Sequence, residues 1–192
     1  MARLTPLLMI AVLVGCSDTS RNRLATDSAR SEVTPGVAAP QVVQWIANPD
    51  SLGPVPMGRL YSTVGREYGA PERPLSTDPE ESACDYVDLP GLPAGVLLMV
   101  FGDTIVRADI DTTGVLTRDG LGVGSPESAL LSAYKGRVMV KSHPYDGPEW
   151  HYVVVTPSND STFRMIFETD GQRVRSFRIG LRRAVDLIEG CS

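Results

Sequence analysis

The side chains best suited to chemistry stand close together in His143-Pro144-Tyr145-Asp146-Gly147-Pro148-Glu149-Trp150-His151, which holds both histidines of the chain. An imidazole beside a carboxylate can act as a general base or join a zinc site. Glu149 and His151, two residues apart, would share one face of a strand. Asp146 or Glu149 would then be the acid partner of a hydrolytic histidine. Pro144 and Pro148 argue instead for a turn-rich surface connection, and no third nitrogen or sulfur ligand follows. Neither a metal site nor a cofactor is therefore expected. Nucleophilic catalysis needs a positioned nucleophile with its base, and the Gly-x-Ser-x-Gly elbow is absent. Ser125, after Gly122-Val123-Gly124, reads as a helix N-cap. Gly120, Gly122 and Gly124 lack the order of a dinucleotide fingerprint. With no catalytic set, a non-enzyme is expected. The basic concentration is Arg173, Arg175, Arg178, Arg182 and Arg183. On a strand Arg173 and Arg175 point the same way. They would meet lipid headgroups or an acidic protein surface, or else simply solvate a strand and blunt edge pairing.

The chain opens with Arg3 and runs apolar from Leu4 to Val14. That run is too short for a bilayer span of about 20 residues, and a basic start before a short apolar stretch reads as a secretory signal. Leu13-Val14-Gly15-Cys16 looks like a bacterial lipobox. The resemblance implies cleavage after residue 15, acylation of Cys16 (diacylglycerol, and an amide-linked chain such as palmitate) and a membrane anchor. Ser17 in place of Asp is similar to the proteobacterial pattern for the outer membrane, facing the periplasm. Removing residues 1–15 takes away Arg3 and no acid, so the net charge moves from −5 to −6. A mildly acidic protein is a poor binder of nucleic acid, whose affinity rests on Lys and Arg.

Residues 16–45 are polar and proline-containing and read as the acylated cysteine with a disordered tether. Residues 46–192 suffice for one domain. In an oxidising compartment the two remaining cysteines, Cys84 and Cys191, are expected to form a disulfide that pins the C-terminus. Free thiols are the alternative.

Internal repetition is the clearest organising feature. A shift of 66 lays residues 51–101 on 117–167 without a gap and gives eight identities. Gly58 falls on Gly124, Ser62 on Ser128, Tyr68 on Tyr134, Ser76 on Ser142, and Tyr86-Val87 on Tyr152-Val153. Met99-Val100-Phe101 falls on Met165-Ile166-Phe167, which places all four of those methionines and phenylalanines in the core. Each half (46–111 and 112–192) then reads as a glycine, a short helix and an antiparallel meander. The strands are expected at 84–89, 95–101 and 104–110, then 138–141, 150–156, 162–169 and 173–179. The turns are Gly102-Asp103 and Asp170-Gly171, and the second hairpin is two residues longer in this alignment. The fold class is α+β.

Met57-Gly58 to Tyr68-Gly69 and Val123-Gly124 to Tyr134 resemble the β-lactamase-inhibitor-protein-like fold, two tandem helix-plus-sheet units. The chain is also similar to a single-unit relative, the small lipoprotein of the outer-membrane β-barrel assembly machine. With no cofactor motif and no catalytic set, a rigid double sheet offering a concave face is expected to be a binding module whose partner is another envelope protein, in an assembly, scaffold or inhibitor role. Tyr86 and Tyr152, on the shared sheet face, are the expected contacts, with Arg173 and Arg175 beside them. No inhibitor contact residue maps onto this chain, and its single cysteine bridge would tie the first unit to the C-terminus rather than lie within one unit. An envelope hydrolase and a small-ligand-binding lipoprotein are the alternatives.

Overall fold

The computed structural model describes residues 44–70 and 84–191. The signal peptide, Cys16, the tether up to residue 43 and Ser76 lie outside the described residues. Three short strands, β1 (Ile46–Asn48), β2 (Ser51–Leu52) and β3 (Val55–Pro56), lead into helix α1 (Tyr61–Tyr68). The meander β4 (Cys84–Val87), β5 (Val96–Phe101) and β6 (Thr104–Ile110) follows, then β7 (Leu116–Thr117) and α2 (Glu127–Ala133). A second meander, β8 (Val138–Ser142), β9 (His151–Val155), β10 (Phe163–Thr169) and β11 (Val174–Leu181), ends in α3 (Arg182–Val185).

The molecule is α+β. The two meanders join through β6 and β11 into one antiparallel sheet of seven strands, ordered β4-β5-β6-β11-β10-β9-β8. The small strands form a separate sheet, β3-β2-β1-β7, in which β1 and β7 run parallel. Alternation sorts the large sheet's side chains between its faces. Val96, Leu98, Val100, Val153, Val155, Met165, Phe167, Phe177 and Ile179 share one core with Val64 and Leu130 of the helices and Leu52 of the small sheet. Phe167 lies 5.1 Å from Phe177 and 6.2 Å from Tyr134, both in stacked geometry.

Each helix is clamped to a hairpin in the same way. In the first half, Gly58 N–H donates to Ile105, Ile105 N–H to Arg59 and Tyr61 N–H to Asp103. In the second, Gly124 N–H donates to Val174, Val174 N–H to Ser125 and Glu127 N–H to Gln172. Gly58 and Gly124 hold φ of 90° and 89°, a region where L side chains are strained. That backbone demand explains the paired glycines, since the space around each is open.

Three sequence expectations need correction. Ser125 is not the N-cap: the helix starts from Pro126, and the Ser125 hydroxyl accepts from Gly122 N–H at 3.0 Å. The gapless alignment also fails in the strands. Met99 faces Tyr86 across the ladder, and the residue facing Tyr152 is Glu168, not Met165. The correspondence is therefore 66 at β4/β9 but 69 at β5/β10. The difference falls in the connection before β10, because the two hairpins are equal (Val100 opposite Ile105, Thr169 opposite Val174). Finally, Phe101 is 56% exposed, while Met99 is buried on the face opposite Met165 and Phe167.

Candidate functional site

The second face of the large sheet carries the charged chemistry, and the chain's own C-terminus covers part of it. After β11 the chain turns into α3 and runs across the sheet to Cys191. Val185 packs on Tyr152, Val154 and Ile166, and Ala184 on Met99 and Val106. Cys84 and Cys191 meet in disulfide geometry with Cα atoms 5.3 Å apart, which fastens this strap to β4.

Two buried arginines hold the strap by its carbonyls. Arg107 Nη1 donates to Ala184 at 3.1 Å and to Leu187 at 2.7 Å, and Arg178 Nε donates to Val185 at 2.8 Å. Cations suit the unsatisfied carbonyls at the end of a helix. Each guanidinium also has its own carboxylate. Arg107 grips Asp109 through Nε (2.9 and 2.8 Å) and Nη2 (2.6 Å), and Arg178 pairs with Glu168. Asp109 lies opposite Arg178 in the ladder, which interleaves the two pairs. The approach is close because Gly180, opposite Arg107, has no side chain: a Cβ there would stand 2.3 Å from the Val106 carbonyl. Beside the network is a small cavity of about 140 Å³, bordered by Leu97, Asp109, Asp111, Ser176 and Ile188.

Tyr152 lies beneath this network and is not an exposed contact. It is 6% exposed, with the Arg178 guanidinium 5.0 Å from its ring centre and the His143 ring 4.5 Å away. Burial, more than the nearby Glu168 charge, raises its phenol pKa. Tyr86 is half-buried against the strap, where a Cβ on Gly190 would stand 2.4 Å from its hydroxyl. Burial raises its pKa too, reinforced by Asp109. The expected tyrosine contact surface is thus already occupied by residues 182–191.

Arg173 and Arg175 remain exposed but are engaged locally. Arg173 precedes β11 and donates to the Gly124 carbonyl at 2.8 Å. Arg175 occupies the bulge in the β10–β11 ladder and pairs with Asp170. The Asp170 carboxyl is drawn down to about 2, mainly by the backbone N–H groups of Arg173 and Gln172. Arg178, read as part of a basic strand, is buried.

The two histidines have separate carboxylate partners. His143 Nδ1 lies 2.8 Å from Asp146, and its Nε2 is 4.0 Å from Glu168. His151 Nδ1 lies 2.9 Å from Glu127, whose buried carboxylate also accepts from the Thr169 hydroxyl. Thr169 therefore meets the acid rather than the imidazole. Glu149 precedes β9 and is not on the strand with His151. No cluster of three metal-ligating side chains occurs among the described residues.

Sequence reasoning missed Arg107 and its pairing with Asp109. The signal was present in Thr104-Ile105-Val106-Arg107-Ala108-Asp109-Ile110, where opposite charges two apart interrupt an apolar strand. Compared with known proteins, the chain matches no family model, no curated protein and no solved structure.

Proposed function

We propose that this chain is a lipid-anchored envelope protein, acylated at Cys16, whose domain binds another envelope protein by strand addition and performs no catalysis. The observation that carries the reading is the outer edge of β8. Among the described residues no strand pairs with its outer side, and Met139 and Val140 are 53% and 44% exposed. Natural sheets usually guard such an edge with charge, proline or a covering element; here Lys141 is the one charge on the strand. Thr156 N–H donates to Arg137 and His143 N–H to Trp150. By alternation, Val138, Val140 and Ser142 turn their backbone groups outward. An extended segment would complete the ladder, its successive side chains falling beside Met139 on one face and Val140 on the other.

The tandem architecture supports the same reading. The repeated helix-to-hairpin clamp and the symmetric sheet order are what a duplicated unit would give, with three residues added before β10. A fold similar to the two-unit inhibitor proteins remains our reading of it. The lipobox-like segment, with Ser17 after Cys16, supports a position at the outer membrane facing the periplasm.

Val140→Pro tests the binding mode. It removes an outward N–H while leaving the β8–β9 bonds intact, as proline on an edge strand does. Wild-type acylated protein should recover a stoichiometric envelope partner, and Val140→Pro should lose it with the melting temperature nearly unchanged. Equal recovery by the variant, or no partner for either, overturns strand addition. Loss of palmitate labelling in Cys16→Ala tests the anchor separately.

A further inference from the structure

A second opening on the strapped face is apolar rather than charged. Between β5, β6 and the strap runs a groove of about 260 Å³ lined by Met99, Phe101, Val106, Ala184 and Leu187, with Arg183 at its rim. Met99 and Val106 form a buried floor, while Phe101 and Leu187 stand 56% and 46% exposed on the two banks. Large apolar side chains left to water on both sides of a trough are covered favourably by an alkyl chain. The volume is below the roughly 300–1,000 Å³ of drug-sized sites, which suits a single unbranched tail. The thioether of Met99 adapts readily to a flexible one.

The rim decides the head group. Arg182 lies 3.6 Å from Asp186, and Asp186 also takes Arg164. Arg183 is exposed and has no hydrogen bond or ion pair among the described residues. An unpaired guanidinium beside an apolar trough complements a carboxylate, which it can grip with two parallel N–H donors. We propose that this groove binds the anion of a medium-chain fatty acid, its tail between Phe101 and Leu187 and its carboxylate on Arg183. The site is separate from the β8 edge and does not depend on the strand-addition reading.

The test is calorimetric titration of the full chain carrying Cys16→Ser, so that no attached acyl group competes. Decanoate, octanoate and decyltrimethylammonium are the probes. Decanoate should bind one to one. Octanoate, two methylenes shorter, should bind about fifteenfold more weakly. The cationic amphiphile, whose alkyl tail is one methylene longer, should still bind at least tenfold more weakly than decanoate. Arg183→Glu, an exposed change whose folding is checked by its melting curve, should reverse that preference. Carboxylate ¹³C shifts of labelled decanoate should move with wild type and not with the variant. Absent or non-stoichiometric decanoate binding, equal affinity for both head groups, or an unchanged Arg183→Glu variant overturns the proposal.

Discussion

The two faces of the seven-stranded sheet are buried by opposite means. Toward α1, α2 and the small sheet, the strands present mainly interlocking aliphatic and aromatic side chains, with polar contacts at Tyr134–Thr117 and at Glu127 with Thr169 and His151. Toward the strap, the centre of the sheet presents Arg107, Asp109, Glu168 and Arg178. Apolar burial is strong but non-directional. A carbonyl bound to a guanidinium fixes a position. The first face supplies stability, and the second sets where residues 182–191 lie, with the cysteine pair fastening their end. Buried ion pairs contribute little net stability, but losing one partner is costly.

That contrast can be broken first on the dry face. Phe167 is fully buried between Phe177 and Tyr134, so Phe167→Ala should cost about 3–5 kcal/mol by denaturant unfolding. A cost near 1 kcal/mol would mean that this face is not the main core. Arg178→Met tests the other face. It leaves the Val185 carbonyl and Glu168 without their donor, but the Glu168 side chain is 24% exposed and can rehydrate. The expected loss is about 2–3 kcal/mol. Adding Glu168→Gln should recover part of it, because the stranded charge is gone. Strict additivity in this double-mutant cycle would show that the pair is not coupled.

The sequence made the meanders legible and the strap illegible, for physical reasons. The period-two alternation and the Gly102-Asp103 and Asp170-Gly171 turns located the large strands to within about two residues at most ends, as the observed Thr104–Ile110 illustrates. Helix α3 is four residues long and begins Arg182-Arg183, too short to show helical periodicity. Strands of two residues, such as Leu116–Thr117, leave no alternation to read. Phe101 was assigned to the core by an alignment that ignored a three-residue insertion, and its outward direction follows from the ladder register. Tyr152 lies beneath Val185, and nothing local in the sequence reveals that the chain's own C-terminus covers it. The charged site was half visible: Arg178 was seen as one of a basic group, whereas its burial depends on Val185 and Glu168, contacts made only after folding.

The smallest predicted effect concerns a polar group on the dry face. Tyr134 is buried in that core, and its hydroxyl lies 3.1 Å from the Thr117 hydroxyl, which also accepts from Leu121 N–H at 3.2 Å. Burial pushes its phenol up to about 12. The folded state therefore holds this proton more tightly than the unfolded chain, whose tyrosine titrates near 10. The resulting stability is complete below pH 10 and is lost as pH rises through 12. Tyr134→Phe should cost about 1 kcal/mol at neutral pH, the usual net worth of one hydrogen bond. In exchange it should flatten the stability decline between pH 10 and 12. Some decline will remain, because burial also raises Tyr86 and Tyr152 on the opposite face. Ultraviolet phenolate titration of both proteins, run beside urea unfolding at each pH, measures the difference. A wild-type Tyr134 that ionises near 10 with the fold intact would mean that water reaches the interior of the face described here as dry.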